Sequence, residues 1–273
     1  MKKWIPILLG LALSLVLALG VSPAHAGGKG RLYLVGLGAG DMDNMTIRAQ
    51  KTIAQAQVVF AMPGVLKDYA SLLEGKELHE AGHGLFSDFG RGHGDEGKRK
   101  AREEEVRTII RGAVAAGRTV AILDNGDPMV FGPHTGYLAE FADLDPEVVP
   151  GLSSFNAANA ALLRAVTSGQ VSHSVILTAA MGSREGYQGQ DTLAKLAESQ
   201  STMVFFTMGM DLPEVVSQLK QSYPGDTPIA IVSFAGYRGK ETVLRATLDT
   251  VLESTGGGRL PFEHLIYVGD FLE

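Results

Sequence analysis

Short apolar runs alternate along this chain with glycine-rich turns and amphipathic stretches, the pattern of strands and helices in turn. From Arg31 the order is strand Leu32-Tyr33-Leu34-Val35, glycine loop Gly36 to Asp41, and a helix capped by Thr46 and running to about Gln55. Val58-Val59-Phe60 predicts a second buried strand, and Thr119 to Leu123 a third after a long helix over Lys98 to Ala116 that Gly117 stops. A short helix over Thr135 to Ala142 and a strand at Glu147-Val148-Val149 complete the first half, and Pro150-Gly151 marks the boundary. Beyond it, Ser153 caps a helix over Phe155 to Val166. Strands follow at Ser174 to Ala179, Met203 to Thr207, Pro228 to Phe234, Thr242 to Thr247 and Leu265 to Gly269, with helices at Thr192 to Ala197, Pro213 to Lys220 and about Leu248 to Glu253. The strands at 229–234 and 243–248, separated only by a glycine-rich loop, predict an antiparallel pair. The expected architecture is therefore two α/β domains, 30–149 with a mostly parallel sheet and 151–273 with a mixed one.

Residues 1–26 stand apart. Lys2 and Lys3 precede an apolar run from Trp4 to Val21, and Ala24-His25-Ala26 supplies a small-x-small cleavage pattern. The segment reads as a signal peptide or an uncleaved anchor, the sole membrane contact expected, and either places the body outside, in the periplasm. Without it, 22 Lys and Arg face 30 Asp and Glu, a formal charge of −8, which argues against nucleic-acid binding. The absence of cysteine excludes disulfides and thiolate metal sites.

The candidate chemistry gathers in loops. Leu123-Asp124-Asn125-Gly126-Asp127-Pro128 ends a strand in a sharp turn with bare backbone and a carboxylate, where open α/β sheets bind small ligands. The Gly36 to Asp41 loop fails as a nicotinamide fingerprint: Asp41 stands where the third glycine is required, and Ala61-Met62-Pro63 supplies no ribose-binding acid. Gly151 to Phe155 lacks the closing glycine of a nucleophile elbow, so a hydrolase is not expected. Between 79 and 97, His79, His83 and His93 lie among six glycines and predict a mobile lid rather than a metal site. Arg91 in that stretch, with Lys98, Arg99 and Arg102 at the start of the next helix, forms a basic concentration suited to a polyanion.

Taken in order, Tyr33 to Asp41, Gly126 to Gly132, Val149 to Ser154, Val204 to Gly209 and Thr227 to Val232 resemble the tetrapyrrole (corrin/porphyrin) methylases, which include uroporphyrinogen-III and precorrin methyltransferases. The resemblance implies an S-adenosylmethionine-dependent C-methyltransferase, in a homodimer, acting on a tetrapyrrole or corrin-pathway intermediate. It implies a cofactor cleft between the two α/β domains and places the cofactor on Asn125, Gly126, Asp127, Val130, Ser153, Ser154, Met208 and Gly236. Arg91, Lys98, Arg99 and Arg102 would then meet substrate carboxylates. No catalytic residue is assigned, because Met62 occupies the place of the acid that some relatives carry after the second strand. An exported haem- or corrinoid-binding protein on the same fold is the alternative reading.

Overall fold

The computed structural model describes residues 29–87, 95–179, 187–206, 211–257 and 260–273. The first half is a parallel sheet of β1 (Leu32–Gly36), β2 (Val58–Ala61), β3 (Glu77–Glu80), β4 (Val120–Asp124) and β5 (Glu147–Val149), in the order β3-β2-β4-β1-β5. Every residue of β1, β2 and β4 is buried, as central parallel strands covered on both faces must be. Around them run α1 (Ile47–Gln55), α2 (Pro63–Asp68), α3 (Glu96–Ala115) and α4 (Gly136–Glu140). The Thr46 hydroxyl caps α1 by accepting from the Ala49 amide at 3.0 Å. One apolar layer packs Met45, Ala49 and Ile53 against Val35, Val59 and Leu123; the other face takes Val106, Ile110, Tyr137 and Phe141.

The second half is a mixed sheet of β6 (Val175–Thr178), β7 (Thr202–Phe206), β8 (Pro228–Ser233), β9 (Thr242–Thr247) and β10 (His264–Val268), ordered β6-β7-β10-β8-β9. Only β6 and β7 are parallel; the expected antiparallel pair forms with Val232 opposite Val243. The last strand, β10, inserts antiparallel between β7 and β8. The remaining helices are α5 (Ser154–Leu162), α6 (Leu193–Ala197), α7 (Leu212–Leu219) and α8 (Val251–Ser254).

Three local expectations change. Glu77 to Glu80 is the edge strand β3, paired to β2 with His79 opposite Phe60, so His79 belongs to the sheet and stacks on the Phe60 ring at 4.9 Å. Helix α3 starts at Glu96, because the Asp95 carboxylate accepts from the Gly97 and Lys98 amides at 2.8 and 3.2 Å. Helix α5 stops at Leu162 rather than Val166, with Leu163 turned left-handed at φ 54°.

Candidate active site

Because β1 lies between β4 and β5, the loops leaving their carboxyl ends emerge side by side. The backbone then ties them together. Leu37 donates to the Asp124 carbonyl at 2.8 Å, and Gly38 and Gly126 exchange amide-to-carbonyl bonds of 3.1 and 2.9 Å. A Cβ on Gly151 would stand 2.0 Å from the Gly126 carbonyl oxygen, so the turn after β5 must be glycine for the loops to touch. Gly126 itself is left-handed, at φ 67°, and its missing Cβ points toward the Ser154 amide, 3.9 Å away.

The rest of the β4 loop folds on itself. Asp127 accepts the Met129 amide on its carboxylate at 2.9 Å and the Val130 amide on its carbonyl at 3.1 Å, a local turn with Pro128 buried inside. Ser153 is buried and accepts the Phe155 amide at 3.3 Å, capping α5 beside Gly126. Asn125 and Met129 are exposed, whereas Gly126, Asp127 and Val130 are half-buried.

The second half joins at the β1 loop. The Gly236 carbonyl, in the β8–β9 connection, accepts from the Asp41 amide at 3.0 Å and from the Asn44 carboxamide at 3.2 Å. Asp41 in turn accepts the Arg238 amide at 3.0 Å, and the Arg238 guanidinium reaches Asp43 at 2.6 Å. A Cβ on Gly40 would lie 2.2 Å from the Gly236 carbonyl carbon. Phe131 and Phe206 make the matching apolar contact, ring centres 4.7 Å apart.

Asn125, Gly126, Asp127, Val130, Ser153, Ser154 and Gly236 thus belong to one connected set of loops, while Met208 and Arg91 lie outside the described residues. Lys98, Arg99 and Arg102 form the start of α3, where Arg102 donates to the Glu80 carbonyl at the end of β3. That strand is separated from β4 only by β2, so the two strands lie about 10 Å apart across the sheet. The basic charges are locally matched: Arg99 with Glu96 and Glu103, Arg102 with Glu105. Met62 caps α2 and packs on the core, and Tyr69 nearby has its phenol pushed up by burial and by the Asp68 and Asp41 carboxylates. Asn44 and Arg238, which join the halves with Asp41, and His134, buried beside Asp124, escaped the sequence reading. Asp41 carried a signal, as an acid at the third-glycine position, but nothing in the sequence names its partner.

The set could hold a small polar ligand. It offers one carboxylate, polar exposed Asn125, bare backbone at Gly126 and apolar surface at Val130. Among the described residues no group of three His, Cys, Asp or Glu comes together for a metal.

Residues 31–252 match the family model described as Tetrapyrrole (Corrin/Porphyrin) Methylases. The cobalt-precorrin-4 C(11)-methyltransferase of Methanocaldococcus jannaschii is 30% identical over 245 residues, 89% of this chain and 88% of that protein. The precorrin-4 C(11)-methyltransferase of Rhodococcus erythropolis is 30% identical over 88% of this chain and 91% of its own length. Among solved structures, a cobalt precorrin-4 methyltransferase of cobalamin biosynthesis superposes with a TM-score of 0.72 at 25% identity, covering 89% of this chain and 96% of that one. The uroporphyrin-III C-methyltransferase of Thermus thermophilus complexed with S-adenosylhomocysteine gives 0.64 at 26% identity, covering 89% and 94%.

These relatives overturn the expectation of a periplasmic protein drawn from residues 1–26, which lie outside the described residues. What aligns with this chain is a set of biosynthetic methyltransferases. The physical reason is supply: the methyl donor is consumed at each turnover, so the enzyme must work where that donor is renewed. Among the described residues no helix is long and apolar enough to cross a membrane. With its motifs, its two sheets and its relatives in agreement, the chain belongs to the tetrapyrrole (corrin/porphyrin) methylases and is an S-adenosylmethionine-dependent methyltransferase.

Proposed function

We propose that this chain methylates a carbon of a corrin-pathway intermediate at or near the precorrin-4 stage, with 30–149 and 151–273 as the two walls of its cleft. The observation that supports the reading is the convergence of the loops after β1, β4 and β5 with the Gly236 turn, in a chain 30% identical to two precorrin-4 C(11)-methyltransferases. When bound, the cofactor supplies an activated methyl group with a neutral leaving group. The protein's work is then to align and to exclude water. Gly126 lets backbone approach the cofactor, Asp127 and Asn125 hold its polar end, Val130 packs on it, and Ser153 and Ser154 close the floor at the start of α5. Gly236 holds the opposite wall in place through Asp41 and Asn44. Lys98 and Arg102, across the sheet at the end of β3, take carboxylates at the far side of the macrocycle. The non-catalytic binding-protein alternative has no support among the relatives.

Calorimetry with S-adenosylhomocysteine followed by methyl-transfer assays on uroporphyrinogen III and on precorrin intermediates tests this. Cofactor binding with turnover of a precorrin is expected. Turnover of uroporphyrinogen III alone would move the enzyme to the start of the pathway, and no binding at millimolar ligand by folded protein would end the proposal. A homodimer is expected in the same preparation, read by sedimentation.

A further inference from the structure

Asp124 and His134 stand at the two ends of the β4 loop, 4% and 0% exposed, with Oδ2 and Nδ1 3.3 Å apart. Neither ring nitrogen of His134 nor Oδ2 of Asp124 makes a hydrogen bond of good geometry, and all three atoms are buried. Two polar groups so placed cost stability that an apolar pair of the same shape would not. What they gain is position, because they meet only when 125–133 is folded as a closed loop. Gly132 fits against this contact: a Cβ there would come 2.8 Å from Asp124 Oδ2 and 2.3 Å from the Pro128 carbonyl.

The contact also reaches the other side of the sheet. His134 accepts the Tyr137 amide on its carbonyl at 3.1 Å and meets the Tyr137 ring edge-on, centroids 6.0 Å apart. The Tyr137 hydroxyl donates to the Ala81 carbonyl just after β3, and the Phe86 ring packs edge-on against Tyr137 at 4.9 Å. Gly136 lies under the same segment, where a Cβ would be 2.6 Å from the Leu85 carbonyl oxygen.

We infer that Asp124 and His134 are a buried positioning pair, which sets the β4 loop for the cofactor and, through Tyr137, registers that loop against residues 81–86 on the substrate side. This rests on the reading of 125–133 as the cofactor loop. The pair touches neither ligand and acts through the loop backbone.

The test compares Asp124→Leu, His134→Phe and the double variant by thermal melting, S-adenosylhomocysteine calorimetry and hydrogen exchange at the Met129 and Val130 amides. Each single variant strands one buried polar group and should melt lower. The double variant strands none and should melt at or above the parent. For a positioning pair, that stable double variant still binds S-adenosylhomocysteine roughly tenfold more weakly and exchanges the loop amides faster. A double variant matching the parent in affinity and exchange overturns the inference, since the pair would then only fill space. If the parent itself does not bind the ligand, the cofactor assignment falls, while the exchange comparison still decides whether the pair holds the loop. Should the double variant not fold, Asp124→Asn carries the comparison: faster loop exchange at parent stability supports the pair, and unchanged exchange overturns it.

Discussion

Gly40→Ala measures how the two halves are held together. Gly40 has φ 86°, and a Cβ there would lie 2.2 Å from the Gly236 carbonyl carbon and 2.3 Å from its oxygen. Gly75 is the control, with φ 73° and nothing within 4 Å of its would-be Cβ. At Gly75 an alanine pays only the left-handed conformation, about 1–2 kcal/mol, partly offset by about 0.4–1 kcal/mol of lost unfolded-chain entropy. At Gly40 the same terms apply, but the Gly236 backbone must also withdraw. That breaks its bonds from the Asp41 amide at 3.0 Å and the Asn44 carboxamide at 3.2 Å, each worth about 0.5–1.5 kcal/mol. Gly40→Ala should therefore be about 2 kcal/mol less stable than Gly75→Ala in urea denaturation. Its S-adenosylhomocysteine affinity should fall with it, while Gly75→Ala binds as the parent. Two variants within about 0.5 kcal/mol of each other, a typical surface-substitution effect, would show that the Gly40–Gly236 contact contributes nothing to the joint.

Asp127→Ala removes the carboxylate that accepts the Met129 amide and should weaken S-adenosylhomocysteine about fivefold, whereas Asp127→Asn keeps an acceptor and should lose less; equal losses would assign the effect to charge, not turn geometry. Phe131 is left-handed at φ 60°, so Phe131→Gly releases strain as it loses the Phe206 ring contact, and should be about 1 kcal/mol more stable than Phe131→Ala. An alanine variant at least as stable as the glycine one would refute the strain. The His264 imidazole is pushed below its ordinary 6.5 by burial, against hydrogen bonds to the Pro261 and Phe262 backbone. Below pH 6.5 the unfolded chain then binds more protons at this site than the folded one, so stability is lost as pH falls from 6.5 toward the lowered value. The pH slope of the melting temperature between 7 and 5 should be shallower in His264→Gln, and an unchanged slope would contradict that assignment.

Where the chain announced its structure, it did so through apolar runs closed by specific caps. The strands β1, β2 and β4 are wholly apolar or end in a single acid, and Thr46 and Ser153 cap helices as their side chains predict. Strand β3 was hidden because Glu77-Leu78-His79-Glu80 is a largely exposed edge whose strand character comes from pairing with β2. Leu163 ends α5 with neither glycine nor proline to signal it. The insertion of β10 between β7 and β8 is a long-range pairing that no local pattern encodes. At the site, Gly38, Gly40, Gly126 and Gly151 marked where backbone comes close, but not to what. The answer is largely to one another: these glycines assemble the loops, and the chemistry is left to a few side chains among them.

That division bears on the basic start of α3. A substrate rich in carboxylates must compete with the acids already in place, and the three cations differ in what such an exchange would undo. Arg102 is held by Glu105, whose side chain is 55% exposed, and solvated pairs of this kind are worth about 0–1 kcal/mol. Arg99, at 17% exposure, pairs with Glu103, which is 9% exposed in its side chain and also accepts the Phe86 amide at 3.1 Å. Pulling Arg99 away would take the nearest cation from the buried Glu103 carboxylate and leave it the Phe86 amide and the Arg107 guanidinium, 3.8 Å away. It would also loosen the segment that packs Phe86 on Tyr137. Lys98, exposed at the helix start, carries no comparable penalty. If the start of α3 meets the substrate as proposed, Lys98 is the cation with least to undo, Arg102 must first release both Glu105 and the Glu80 carbonyl, and Arg99 stays as the bracket that holds the 81–86 segment through Glu103.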